Sequence, residues 1–212
     1  MRLKMKTKEI VAKNIKWIIL FICILITVLI AEDVMEKEIM EIDTIGYKIM
    51  SEHIISDTIT PIAKAITQFG GAIFLITLSI ILLIVIKNKK IGILIWINLA
   101  ISTIINQVLK NIIQRPRPTE FRIINQNGYS FPSGHSMASM AFYGFLIYLI
   151  YKKVKNKYLK WTLISLLSIL IILVGASRVY LGVHYTSDVI AGILISISYL
   201  IMFTSIAKKY LE

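Results

Sequence analysis

The sequence predicts an all-α integral membrane bundle of six transmembrane helices, with both termini cytoplasmic and an amphipathic interfacial helix after the first span. Three observations carry that expectation. Apolar residues make up 57% of the 212 positions, with a mean hydropathy of +0.75, and they come in long runs rather than at the spacing of a single apolar helix face. Six such runs are long enough to cross ~30 Å of hydrocarbon at ~1.5 Å per residue. The cations, finally, alternate between the ends of those runs in a pattern that orients them.

The first run covers approximately 15–31. A basic tail precedes it, as in a signal peptide, but Glu32-Asp33 follows with no small-residue cleavage site, so it reads as a retained anchor. The next stretch, 32–68, is acidic, and Met35, Ile39, Ile42, Ile45 and Ile49 recur in it at three- or four-residue steps, which is helical amphipathicity. Two readings stay open for it: a helix lying flat on the outer membrane face, or a lid over the polar residues described below. His53 has no partner there at ligand spacing and reads as a solvated histidine. The remaining runs cover approximately 69–86, 91–109, 135–151, 159–177 and 185–207. No linker, repeat or low-complexity tract divides the chain, so 1–212 is read as one membrane-embedded domain. Cys23 stands alone in mid-span, which leaves no disulfide framework and no cysteine metal site.

A net charge of +12 raises the question of nucleic acid, and its distribution answers it. With the N-terminus inside, the cytoplasmic segments hold Arg2, Lys4, Lys6, Lys8, Lys13, Lys16, Lys87, Lys89, Lys90, Lys152, Lys153, Lys155, Lys157, Lys160, Lys208 and Lys209, sixteen of the 24 cations. That is the positive-inside bias of a membrane protein and not a nucleic-acid patch. Trp17 and Trp161 fall at cytoplasmic helix ends, where interfacial aromatics sit. The expected partners are therefore the bilayer and a membrane lipid, with no nucleic acid, in a bacterial-type cell membrane. The oligomeric state is not legible.

Three polar blocks interrupt the apolar chain, and the topology sends all of them to the outer face. The first ends the third run: Asn98, Ser102, Asn106 and Lys110 step by four and share one helix face, and Arg115, Arg117 and Arg122 follow among Pro116 and Pro118. Lys and Arg near helix ends commonly anchor headgroups. Positive charge on the outer side runs against the topology bias, however, and a phosphate ligand explains its retention. The second block, Pro132-Ser133-Gly134-His135, is a helix start with Ser133 as N-cap. Its first-turn N–H groups form an anion site, Gly134 lets the backbone approach closely, and His135 is placed to move a proton. In the third, Ser177-Arg178 is followed by His184 and Asp188, one helical turn apart. A carboxylate on one ring nitrogen fixes the tautomer and leaves the other nitrogen as nucleophile or base. An ionisable pair at the membrane boundary is costly enough to make function its default reading.

Taken together, Lys110-x6-Arg117-Pro118, Pro132-Ser133-Gly134-His135 and Ser177-Arg178-x5-His184-x3-Asp188 resemble the type 2 phosphatidic acid phosphatase and vanadium haloperoxidase superfamily, in its membrane lipid-phosphatase branch. The resemblance implies that His184 attacks phosphorus and forms a phosphohistidine, that Asp188 orients it, and that His135 protonates the leaving oxygen. It also implies that Lys110, Arg117, Arg178, Ser133 and the Gly134 amide hold the phosphate. No metal and no cofactor are expected, since three cations supply the charge stabilisation that phosphoryl transfer needs. The implied enzyme is a metal-independent lipid phosphatase with its site facing outside. Undecaprenyl diphosphate, phosphatidylglycerophosphate and phosphatidic acid all fit as substrates. Two other readings use the same residues: a vanadate-dependent haloperoxidase, whose relatives are soluble, and a non-catalytic lipid transporter, which leaves the His–Asp pair unexplained.

Overall fold

In hydrocarbon every backbone N–H and C=O must find its partner within its own segment, so apolar runs of this length fold as helices. The computed structural model describes residues 2–211, and side chains from Asn14 onward; the side chains of Arg2, Lys4, Lys6, Lys8 and Lys13, counted above as cytoplasmic cations, lie outside the described residues. Eight α-helices appear, with no strand among the described residues: α1 (Arg2–Met35), α2 (Glu41–Lys48), α3 (Ile59–Gln68), α4 (Ala72–Val85), α5 (Lys89–Ile113), α6 (Gly134–Lys153), α7 (Lys157–Tyr180) and α8 (Thr186–Leu211). A π-helical turn, Ile49–Ile54, continues α2.

Four helices are long and apolar enough to cross a bilayer alone: α1 from Asn14, α5, α7 and α8. A fifth crossing is available if α3 and α4, which meet at a 48° bend, act as one. Here the structure departs from the straight second span expected over 69–86. With 14 residues α4 reaches only about 21 Å. The break comes where Phe69, Gly70 and Gly71 donate to the carbonyls three residues back, tightening and ending α3. A Cβ on Gly70 would press on Val174 and on the ring of His135, so the chain bends where its backbone passes closest to α6 and α7.

The fourth run, 135–151, folds into the centre of the molecule. Helix α6 packs against α5, α7 and α8, and α1 lies outside on α8. Its first turns carry Gly134, His135, Ser136 and Ser139, making it less apolar than its neighbours. A helix enclosed by protein can tolerate this, because the small polar residues permit close packing and find partners there. Below those turns, Leu75, Ile95, Phe142 and Phe145 are fully buried, with Phe145 set edge-on against Phe203 at 5.2 Å. Apolar side chains also cover the outside, among them Phe21, Ile73, Ile84 and Ile172, each more than 60% exposed. Such a surface needs lipid as its solvent.

The acidic segment after α1 does contain an amphipathic helix, shorter than the 32–68 stretch. Met35, Ile39, Ile42, Ile45 and Ile49 are exposed, while Asp43 on the other face of α2 is buried against α8. Asp43 is therefore no solvated surface acid.

Candidate active site

The polar stripe of α5 turns inward. Asn98, Ser102 and Asn106 are buried. Asn98 Nδ2 donates to the Ala141 carbonyl at 2.8 Å, and Asn106 Nδ2 donates to the Pro132 carbonyl at 3.0 Å. Asn106 thus ties the end of α5 to the start of α6. Its Oδ1 lies 3.0 Å from where a Cβ on Gly134 would sit, so Gly134 makes room for Asn106 as well as opening the helix start. Ser133 caps α6: its Oγ accepts from the Ser136 amide at 3.4 Å and from Ser136 Oγ at 2.9 Å.

Beyond α5, the loop between α5 and α6 folds back on itself. The Ser130 amide donates to the Arg115 carbonyl at 2.8 Å. Loop carbonyls then fix two of the predicted phosphate ligands. Lys110 Nζ donates to the carbonyls of Tyr129 and Ser130. Arg117 donates to those of Gly128 (2.9 Å), Asn127 (3.2 Å), Tyr129 (3.1 Å) and, across to the next loop, Val183 (2.7 Å). The third predicted cation, Arg178, is 1% exposed near the end of α7, with Nη1 on Thr67 Oγ1 and Nη2 on Gln126 Oε1, each at 2.6 Å. Its Nε has no hydrogen-bond partner among the described residues.

The turn between α7 and α8 presents His184. Gly182 adopts φ +68°, and a Cβ there would collide with the Phe121 carbonyl, so this position requires glycine. His184 Nδ1 lies 3.3 Å from Asp188 Oδ2, which also accepts from the Tyr185 amide at 2.9 Å. Arg117 Nη1 approaches the other ring nitrogen, Nε2, at 3.1 Å. Guanidinium can only donate, so Nε2 is the acceptor and Nδ1 carries the hydrogen that reaches Asp188. Burial pushes the imidazole down to about 4, more than Asp188 raises it. At neutral pH the ring is therefore uncharged, and its contact with Asp188 is a hydrogen bond rather than an ion pair.

Lys110, Arg117, Gly134, His135 and His184 meet on the wall of one cavity of about 480 Å³, which continues past Ser102 to the apolar Leu75, Ile76 and Leu99. Ser133, Arg178 and Asp188 stand behind that wall, each at most 1% exposed. The chemistry available is a neutral imidazole whose one lone pair, on Nε2, is met by Arg117, a second imidazole and fixed cations, all at one end of a cleft that is apolar at the other. Among the described residues, no group of three or more His, Cys, Asp or Glu side chains is arranged to hold a metal ion.

Sequence reasoning missed what supports this site. Arg115 bridges two carboxylates, Asp188 Oδ1 at 2.7 Å and Asp43 Oδ2 at 2.8 Å. Ser187 contacts two of the three groups, donating to Asp43 and accepting from Arg115. The doubled Arg-Pro in Arg115-Pro116-Arg117-Pro118 marked both arginines equally, and nothing local marked Asp43.

The sequence profile of the PAP2 superfamily matches residues 91–211. The chain belongs to that superfamily. All three polar blocks lie inside the matched stretch. Among curated PAP2-related proteins, the phosphatidylglycerophosphatase B of Bacillus subtilis is 32% identical over 62% of this chain and 66% of its own length. The undecaprenyl-diphosphatase of Sulfolobus acidocaldarius is 29% identical over 64% of each. The aligned part thus spans just under two thirds of these relatives. The crystal structure of a transmembrane PAP2-type phosphatidylglycerolphosphate phosphatase from Bacillus subtilis superposes with a TM-score of 0.79 and 25% identity, covering 90% of this chain and 96% of that one. Aquifex aeolicus LpxE shares the fold, at a TM-score of 0.61 and 22% identity over 77% of this chain and 93% of its own.

Proposed function

We propose that this chain is a single-domain, multi-pass membrane phosphatase that hydrolyses the terminal phosphate of a lipid phosphate or diphosphate through a phosphohistidine. One observation carries the reading: Asp188 holds Nδ1 of His184, Arg117 meets its Nε2, and both His184 and Arg117 line a cavity whose wall also bears Lys110 and His135. As Arg117 Nη1 passes from Nε2 to a phosphate oxygen, the freed Nε2 lone pair attacks phosphorus, and the P–O bond to the lipid breaks in line with the new P–N bond. Protonated His135 gives its proton to the leaving oxygen, then takes one from the water that cleaves the P–N bond. Lys110 and Arg117 meet the equatorial oxygens at the cavity wall. Arg178 supports them from behind, and Ser133 acts through the cap that aims the Gly134 and His135 amides. No step calls for a metal.

Helices α1, α3–α4, α5, α6, α7 and α8 make six crossings, which returns both termini to one side, the cytoplasmic side by the lysine distribution. The outer ends of α5 to α8 then carry the site, at headgroup depth on the extracytoplasmic face. In that position it suits an amphiphile whose phosphate sits at the surface while its chain follows the apolar part of the cleft. Phosphatidylglycerophosphate and undecaprenyl diphosphate, the lipids in the names of the two curated relatives, head the substrate panel with phosphatidic acid.

The test is phosphate release from these three lipids by purified protein in mixed micelles. We expect release from at least one, unchanged by EDTA and inhibited by vanadate, which mimics the five-coordinate transition state. Absence of release from all three, with transbilayer lipid movement instead, would establish a transporter; bound vanadium with bromide oxidation would establish a haloperoxidase.

A further inference from the structure

Asp43 belongs to no polar block, lies on the amphipathic helix α2, and is nevertheless fully buried beside the residues that hold His184. Two features place it there. Gly46, one turn further along α2, sits so close to Thr186 that a Cβ would collide with its hydroxyl, so α2 docks directly on the first turn of α8. Asp43 then takes three hydrogen bonds: from Arg115 Nη2 at 2.8 Å, from the Ser187 amide at 2.8 Å and from Ser187 Oγ at 2.8 Å. Arg115 puts its other nitrogen, Nη1, on Asp188 Oδ1 at 2.7 Å, with its Cζ over the Tyr185 ring at 4.0 Å from the centroid.

The result is a chain of four groups, Asp43–Arg115–Asp188–His184, in which one guanidinium serves two carboxylates. We infer that Asp43 is a positioning residue for the reaction, acting through Arg115 to set how fully Asp188 supports charge on His184. The physical argument is a balance. When Nε2 bonds to phosphorus, the imidazole gains positive charge, and the Asp188 carboxylate stabilises it through Nδ1. A guanidinium 2.7 Å from the other Asp188 oxygen opposes that stabilisation, because it holds the same negative charge. Asp43 offsets part of this pull and, with Ser187, fixes where the guanidinium sits. The remaining charged groups around the pair, Arg117 from the loop, Lys110 from α5, His135 from α6 and Arg178 from α7, lie on the phosphate side and make no hydrogen bond to Asp43.

This inference rests on His184 and Asp188 acting as proposed, and the wild-type assay separates the two. If wild-type protein releases no phosphate, the functional reading fails first. With wild-type turnover in hand, D43N should lower kcat by roughly tenfold, leaving KM and the inhibition constant of inorganic phosphate within about twofold, since Asp43 touches nothing on the phosphate side. D43E, which keeps the charge, should retain more activity than D43N. Adding R115M to D43N removes the pull on Asp188 and should recover part of the lost kcat. If D43N is not obtained folded, S187A loosens the same bridge with every charge kept, and should lower kcat several-fold at unchanged KM. A kcat within twofold of wild type in the folded variant, a parallel rise in KM and phosphate inhibition constant, or a D43N/R115M double variant no better than D43N would each overturn the inference.

Discussion

The two ends of the α5–α8 bundle, called inner and outer by the proposed topology, bury side chains under opposite rules. At the inner end, Ile95, Phe142, Phe145, Leu200 and Phe203 fill space, and their contacts are set by volume and shape. At the outer end, Arg115, Arg117, Arg178, His184 and Asp188 are as deeply buried, yet each is held through directed hydrogen bonds. Burial is cheap at the first end, whereas at the second it is tolerated only because nearly every polar atom has a partner. The contrast separates the frame from the proposed site on the same four helices: apolar packing holds the frame, and the polar layer carries the groups to which the chemistry is assigned.

The largest effect should come from the layer's proposed nucleophile. His184→Ala should lower phosphate release by about 10⁴-fold or more with the protein still folded, measured as turnover on the best lipid of the panel. Turnover within tenfold of wild type would break the comparison, because the outer end would then be structural too. A second, smaller test concerns the uncharged state of His184. Its burial holds the imidazole near 4, below the ordinary 6.5, so the folded protein should bind no proton there until the pH falls toward 4. Unfolded chain would take that proton near 6.5, so this residue's contribution to stability is complete above 6.5 and is lost as the pH drops from 6.5 to 4. Titration of ¹⁵N-labelled histidine by NMR in micelles, with the resonance assigned by its loss in His184→Ala, should find the His184 imidazole neutral, with hydrogen on Nδ1, at pH 5. A midpoint near 6.5 for His184 would contradict it.

The smallest effect on chemistry should come from the inner end. Phe145→Ala leaves a cavity against Phe203 and should cost about 3 kcal/mol of stability, seen as a lowered thermal midpoint in detergent. Per folded molecule, kcat should stay within about twofold. A kcat loss as large as that of His184→Ala would mean the two ends are not separable.

What the sequence made legible follows the same division. Short-range features were readable: Ser133 caps α6, the stripe from Asn98 to Asn106 faces inward, and His184 meets Asp188 because four residues make one helical turn. Long-range features were not. The Asp43–Arg115 contact spans 72 positions with no local pattern to announce it. The break between α3 and α4 depends on how Val174 and His135 press on Gly70, which hydropathy does not register. Likewise, α6 is less apolar than its neighbours because protein surrounds it, and composition cannot distinguish that setting from a poorer span.

Trapping of the phosphoenzyme tests the central claim most directly. Wild-type protein quenched during turnover on ³²P-labelled lipid phosphate should carry acid-labile, base-stable label on the peptide containing His184, and His184→Ala should carry none. Label persisting in that variant, or residing on a serine or carboxylate, would contradict a mechanism built on this histidine.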